Sequence, residues 1–439
     1  MQACSFARTS IMNLPLRALL CSLALLLAPA AHAQIGRQFP AERTVVKDPV
    51  TGTMLTFLTS RPRKDIKIYP THPQWSADGK WVVFRSALAN WEALAVNEET
   101  GQIIQVSEGG FNGMLNLSTK SMKLYFMRNT PTRAMQVVEV DLARLFADVN
   151  GGQLRPASHY QRICGTVPAQ IEASGDMALD AGDESVYFRV GAKEAARHLA
   201  PGARIEPAFG PRGMGAGPGG IARMHLRTGE VRHVVSVPFQ VGHIQANLWN
   251  PGELVFCWET GGKSPQRTWT VMADGSGLRP LYPESPYEWV THEAVIGKDE
   301  VAMALVGHRT GAAVTSEWGP AGTREKPTGL AIVNLRTREM TIAGQTTSGS
   351  GFWHVHGSAD GRWAVGDDFS RSLHLIDRRT REMMLLTTGH KSTAADHPHP
   401  TFSADGTRIQ FQSAMLSADG RTMNICIAPV PEAWLKRPQ

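Results

Sequence analysis

One phrase, copied along the chain, limits what it can fold into. His72-Pro73-Gln74-Trp75-Ser76-Ala77-Asp78-Gly79 returns as His354-Val355-His356-Gly357-Ser358-Ala359-Asp360-Gly361. It returns again as His397-Pro398-His399-Pro400-Thr401-Phe402-Ser403-Ala404-Asp405-Gly406. Such self-similarity marks a repeat architecture, in which each unit buries its apolar face against its neighbours. The Asp-Gly pair is a hairpin turn signal, and Arg408-Ile409-Gln410-Phe411-Gln412 behind it alternates like a returning strand. Further units start near Met114, Glu172, His243 and His292, which makes seven. Each spans about 40 to 60 residues as a four-strand meander, the pattern of a β-propeller blade. The last unit stops after Ile427, one strand short, and Gly52–Ser60 reads as a lone strand ahead of the first. The expectation is an all-β, seven-bladed β-propeller over residues 34–439, closed by the N-terminal strand joining the last blade. Closure removes the sheet edges an open array would expose. Two stacked sandwiches would not put Ser-Ala-Asp-Gly at the same point of successive units.

The first 33 residues stand apart. Arg8 and Arg17 precede an apolar run, Ala18–Ala30, and Ala31-His32-Ala33 follows. That is a basic region, an apolar region and a small-residue cleavage site, the plan of a secretory signal cut after Ala33. The run falls short of the ~18 apolar residues a membrane span needs, and Leu20 is bulky for a lipidation site at Cys21. A periplasmic or secreted protein without a membrane span is expected. Cys164, Cys257 and Cys426 remain, too few for a disulfide framework and with no CxxC. Removing two arginines from the formal +6 leaves +4, which suits an anionic ligand and not nucleic acid. The Gly-rich stretch Gly210–Gly220 has no Gly-Lys-Ser/Thr ending and opens no helix. It reads as a flexible insertion over one face, not a phosphate cradle.

The repeats also place the histidines. The first strand of a blade lines the central channel, and all first strands enter from one face. Counting back four residues from the Ser position aligns His72, His354 and His399. His292 falls there too, and His243 one residue off. His397 adds a sixth imidazole, two residues before His399 and so on the same face of an extended segment. A single histidine is ordinarily a hydrogen-bonded core residue. Several converging on one mouth would repel when protonated, unless a metal or anion joins them. A metal site made of His292, His397 and His399 is the expectation, with manganese, zinc, iron and nickel all compatible.

At these residues the chain resembles the oligogalacturonate lyase family, pectin-degrading polysaccharide lyases built as seven-bladed propellers. The resemblance lies in Asp48-Pro49-Val50-Thr51-Gly52 with Leu55–Thr59, in Gly242-His243, Phe256-Cys257 and Arg267-Thr268-Trp269, in Thr291-His292-Glu293, and in His397-Pro398-His399-Pro400. It implies a manganese ion held by three histidines, matched here by His292, His397 and His399, and by a glutamine, whose place falls on Ala394. Water, substrate, His390 or Asp396 would then complete the set. It implies His243 as catalytic base and an arginine near the Gly-rich insertion, for which Arg223 is the nearest candidate. Where the family reads Cys-His-Glu-Gly, this chain has Cys257-Trp258-Glu259-Thr260, turning one pocket histidine into a stacking surface.

The implied chemistry is β-elimination on an anionic uronate oligosaccharide. A base removes the C5 proton, the C4 oxygen leaves, and a cation withdraws charge from the carboxylate. A neutral His243 near a cation would have its pKa pushed below about 6.5. Arg223 and Arg267 are candidates for gripping carboxylates, His72 and His354 for other substrate contacts, and Trp258 and Trp353 for stacking on sugar rings. No paired carboxylates stand out for glycosidase work. Two other readings stay open: a non-catalytic binding propeller, and the same chemistry on another uronate polymer.

Overall fold

The computed structural model describes residues 34–210, 212–284, 288–306, 329–346 and 351–438. The proposed signal, residues 1–33, lies outside them. The described strands form seven antiparallel sheets, and the first strands of successive blades face one another around a channel. The fold is therefore the expected seven-bladed propeller. Blade 4, for example, runs outward through Val241–Ala246, Glu253–Trp258, Thr268–Met272 and Arg279–Pro280.

Closure uses more of the N-terminus than the sequence suggests. Met54–Phe57 pairs with Asn424–Pro429 of blade 7, with Thr56 opposite Ile427 and Phe57 opposite Cys426. Thr44–Lys47 then adds a further strand outside it. Gln38–Phe39 crosses to blade 1 and pairs with Ile103–Gln105. Short strands on two adjacent blades thus cover two sheet edges.

Blade 1 corrects one boundary. Its innermost strand is Asp65–Lys67, not a strand beginning at His72. The segment after His72 contributes only the Trp75–Val82 bridge.

The repeated Ser-Ala-Asp-Gly owes its persistence to local bonding. Ser76, Ser358 and Ser403 each donate from Oγ to the aspartate two residues on at 2.5 Å. Each Oγ also accepts from the backbone N–H five residues on. Gly79, Gly361 and Gly406 turn back at φ 69°, 76° and 68°, which a side chain would strain.

Apolar clusters fill the spaces between blades. Blades 1 and 2 gain an unexpected helix, Leu142–Asn150, capped by Asp141, which accepts from Arg144 N at 2.9 Å. Its buried Leu142, Leu145, Phe146 and Val149 follow helical spacing, and Phe146 stacks on Trp81 with centroids 4.1 Å apart.

Candidate active site

Bulges in the inner strands aim the site. The pairing of blade 4 slips between Gly242 and Gln245, and that of blade 5 between Thr291 and Ala294. Inside these slips His243 and His292 adopt φ 49° and 52°, and His399 adopts 56° ahead of Thr401–Phe402. Positive φ is uncommon for a residue with a side chain, and a bulge re-aims the side chain it carries. His397 and His399 therefore do not share one face of an extended segment as expected, because the backbone at His399 is not extended. Their rings still reach one cluster by a different route.

His243, His292, His354 and His399 line a cavity of ≈ 520 Å³, and His397 is not among its lining residues. Arg85, Arg189, Arg212 and Arg267 also line it, against Asp176, Glu259 and Asp396. The excess of cations fits an anionic ligand.

His243 sits in a charged network. Its Nδ1 lies 3.2 Å from Glu293 Oε1, and its Nε2 3.5 Å from Glu259 Oε2. Arg267, 3% exposed, donates from Nε to Glu293 at 2.8 Å, and its Nη2 lies 3.5 Å from Glu259. Burial opposes a charged His243. The bond to Glu293 and the Glu293 and Glu259 charges outweigh burial and the repulsion from Arg267, so its pKa stands above the ordinary value. These protein charges oppose the lowering expected from a neighbouring cation. Glu293 is likewise desolvated, yet Arg267 and His243 hold it ionised well below the usual carboxylate range. Arg267 reaches the cavity with two of its donors engaged by glutamates, so it holds the network and is poorly placed as a free carboxylate clamp.

The second group surrounds His354. Its ring centroid lies 4.1 Å from that of His292, 3.8 Å from His399 and 5.5 Å from His397. Asp367, fully buried, faces Nδ1 of His354 at 3.2 Å and Nδ1 of His397 at 2.8 Å. Tyr69 Oη is 2.7 Å from His292 Nδ1, while His292 Nε2 is buried without a hydrogen-bond partner. Such an orphaned atom calls for an explanation. Clustered imidazoles with an unpaired nitrogen, backed by a buried carboxylate, fit a bound divalent cation.

Other expected residues do not reach the cavity. His72, 5% exposed, spends Nδ1 on Thr71 Oγ1 at 2.7 Å and Nε2 on the Met177 carbonyl at 2.8 Å. Arg223 lies on the third strand of blade 3 opposite Tyr187 and Arg232 and does not line the cavity. Trp258 is buried, donates to the Gly215 carbonyl at 2.9 Å and stacks on Phe239, so it packs rather than offering a sugar platform. Trp353 does line the cavity, at the slip between Phe352 and His354. His390 turns to Ser413 Oγ at 2.8 Å, whereas Asp396 is at the cavity wall.

Sequence reasoning missed Tyr69, Glu259, Glu293, Asp367, Arg189 and Arg212. Glu293 and Glu259 stood inside motifs already singled out, next to His292 and Trp258. Arg212 and Met214 come from the Gly-rich stretch, which does reach over the cavity. Its second half, however, belongs to the strand Ala216–His225 and is not a flexible loop. Nothing in the local sequence marks Asp367.

No family model matches the chain. A curated oligogalacturonate lyase from Dickeya dadantii (strain 3937) is 22% identical over 419 residues, covering 88% of this chain and 96% of that protein. An oligogalacturonate lyase solved in complex with manganese aligns at a TM-score of 0.70 and 18% identity, covering 92% of this chain and 100% of that one. The oligogalacturonate lyase of Vibrio parahaemolyticus aligns at 0.66 and 18% identity, over 91% and 100% of the two chains. Both structures share the seven-bladed propeller. Along most of its length, in sequence and in fold, the chain is similar to the oligogalacturonate lyase family.

Proposed function

We propose that the protein is a metal-assisted lyase that cleaves short uronate oligosaccharides by β-elimination, oligogalacturonates first among them. The observation that carries this reading is the pairing, in one cationic cavity, of a carboxylate-bound His243 with a histidine cluster whose His292 Nε2 lacks a partner. The two rings are 6.4 Å apart. In this reading His292, His397 and His399 hold a divalent cation, manganese above others, which supplies Lewis-acid stabilisation of the substrate carboxylate.

The chain's own groups do the rest. Glu293 accepts from His243 Nδ1–H, so that Nε2 carries the lone pair and takes the C5 proton of the uronate. The electrons of that C–H bond form the C4–C5 double bond as the C4–O4 bond breaks, and O4 keeps that bond's electron pair and takes a proton from water. Arg189 and Arg212 face the cavity with charges that suit neighbouring uronate carboxylates. Export to the periplasm or beyond, with cleavage after Ala33, belongs to the same proposal. No helix among the described residues is long and apolar enough to cross a membrane.

The test is ultraviolet absorbance from the new double bond. Purified protein is given oligogalacturonates with manganese, then with a chelator. Growth of absorbance that needs the metal and vanishes in His243→Ala and His397→Ala is the expected result. A metal-loaded protein that desaturates no uronate oligomer would sink the proposal.

A further inference from the structure

We infer that His354, positioned by Asp367, is itself a metal ligand and completes the set with His292, His397 and His399. This rests on the metal-assisted reading above and concerns the donor that Ala394 cannot supply. The Ala394 methyl is buried with Ala414 and Met423, and its carbonyl accepts from Arg371 Nη1 at 2.7 Å. His390 bonds Ser413 through Nδ1 and does not line the cavity. The stretch before His397 thus brings only Asp396 to the cavity.

His354 is better placed than any of these. It is 3% exposed, which argues against a role in gripping substrate. Its ring lies 3.8 to 5.5 Å from those of His399, His292 and His397, and it offers a donor atom within 4.8 Å of donors on Asp367 and His397. Asp367 is the strand partner of His354 and accepts from its backbone N–H at 2.7 Å. The same carboxylate faces Nδ1 of both His354 and His397. Each imidazole therefore carries its proton on Nδ1, and each Nε2 is left with a lone pair directed away from Asp367. A buried carboxylate shared by two imidazoles is the arrangement that raises ligand basicity and fixes ring orientation. A substrate-binding histidine needs no such anchor.

The experiment counts nitrogens. Full-length mature protein is loaded with Mn²⁺ and examined by pulsed electron paramagnetic resonance, with affinity from calorimetry. Four directly bound imidazole nitrogens are expected in the wild type and three in His354→Gln, with affinity down about 10–100-fold. Asp367→Asn should lose affinity to a similar degree while keeping the native circular dichroism. Three nitrogens in the wild type overturn the assignment, whether or not either variant folds. So does an unchanged count and affinity in His354→Gln. A wild type that binds no Mn²⁺ overturns the metal reading itself, and this assignment with it.

Discussion

His72 of blade 1 and His354 of blade 6 occupy the same place in the repeat, four residues before the turn serine, and both are buried. Their surroundings differ. His72 meets a threonine hydroxyl and a backbone carbonyl, which together satisfy both ring nitrogens. His354 meets a buried carboxylate on one side and three imidazoles on the other. The first arrangement is complete without a ligand, and the second has one nitrogen, His292 Nε2, that is not. Equivalence within a repeat therefore fixes where a side chain starts, and the neighbouring blade decides what it does. In the proposed reading the base and the metal cluster lie on blades 4 to 7, with Tyr69 of blade 1 and Arg189 of blade 3 reaching the same cavity.

The strongest way to break this division is His243→Ala, expected to cut turnover of oligogalacturonates by about 10²–10⁴-fold. An equal loss in His72→Ala would erase the contrast. Next comes the arginine pair. Arg189→Ala should raise KM by about 10–100-fold through loss of a charged contact, whereas Arg223→Ala should leave it unchanged, as steady-state kinetics would show. His72→Ala should instead cost about 1–3 kcal/mol in urea unfolding, because the buried bonds of its ring to Thr71 and the Met177 carbonyl are lost, with turnover within about threefold of wild type. The smallest effect is on pH. A base works unprotonated, so the rising limb of kcat/KM follows the His243 pKa, which Glu293 and Glu259 raise. Glu259 raises that pKa, so Glu259→Gln should move the limb to lower pH. A limb that stays in place would remove Glu259 from the network.

Much of the fold could be read from the chain because propeller repeats are written locally. The Ser-Ala-Asp-Gly turn closes on itself within five residues. A fourth copy, Ser417-Ala418-Asp419-Gly420, makes a similar turn between the second and third strands of blade 7, so the phrase reports turn chemistry and not blade position alone. The closing strand could be inferred from a unit one strand short. Thr44–Lys47 and Gln38–Phe39 could not, since an added edge strand satisfies backbone bonds without needing a particular sequence. The helix Leu142–Asn150 had helical apolar spacing and a cap, but it fell within a run of strands.

The site divides in the same way. The repeat put His72, His243, His292, His354 and His399 at one mouth of a channel, because it carries each first strand inward, and all but His72 line the cavity. Tertiary structure decided which imidazoles meet, since that depends on bulges at Gly242 and Thr291 and on partners from distant segments. Tyr69 reaches His292 across 223 positions of sequence, Glu293 reaches His243 across 50, and Asp367 reaches His397 across 30. A hydrogen bond acts over about 3 Å and ignores sequence separation. The identity of a residue can thus be read from the chain, but the charge beside it only from the fold.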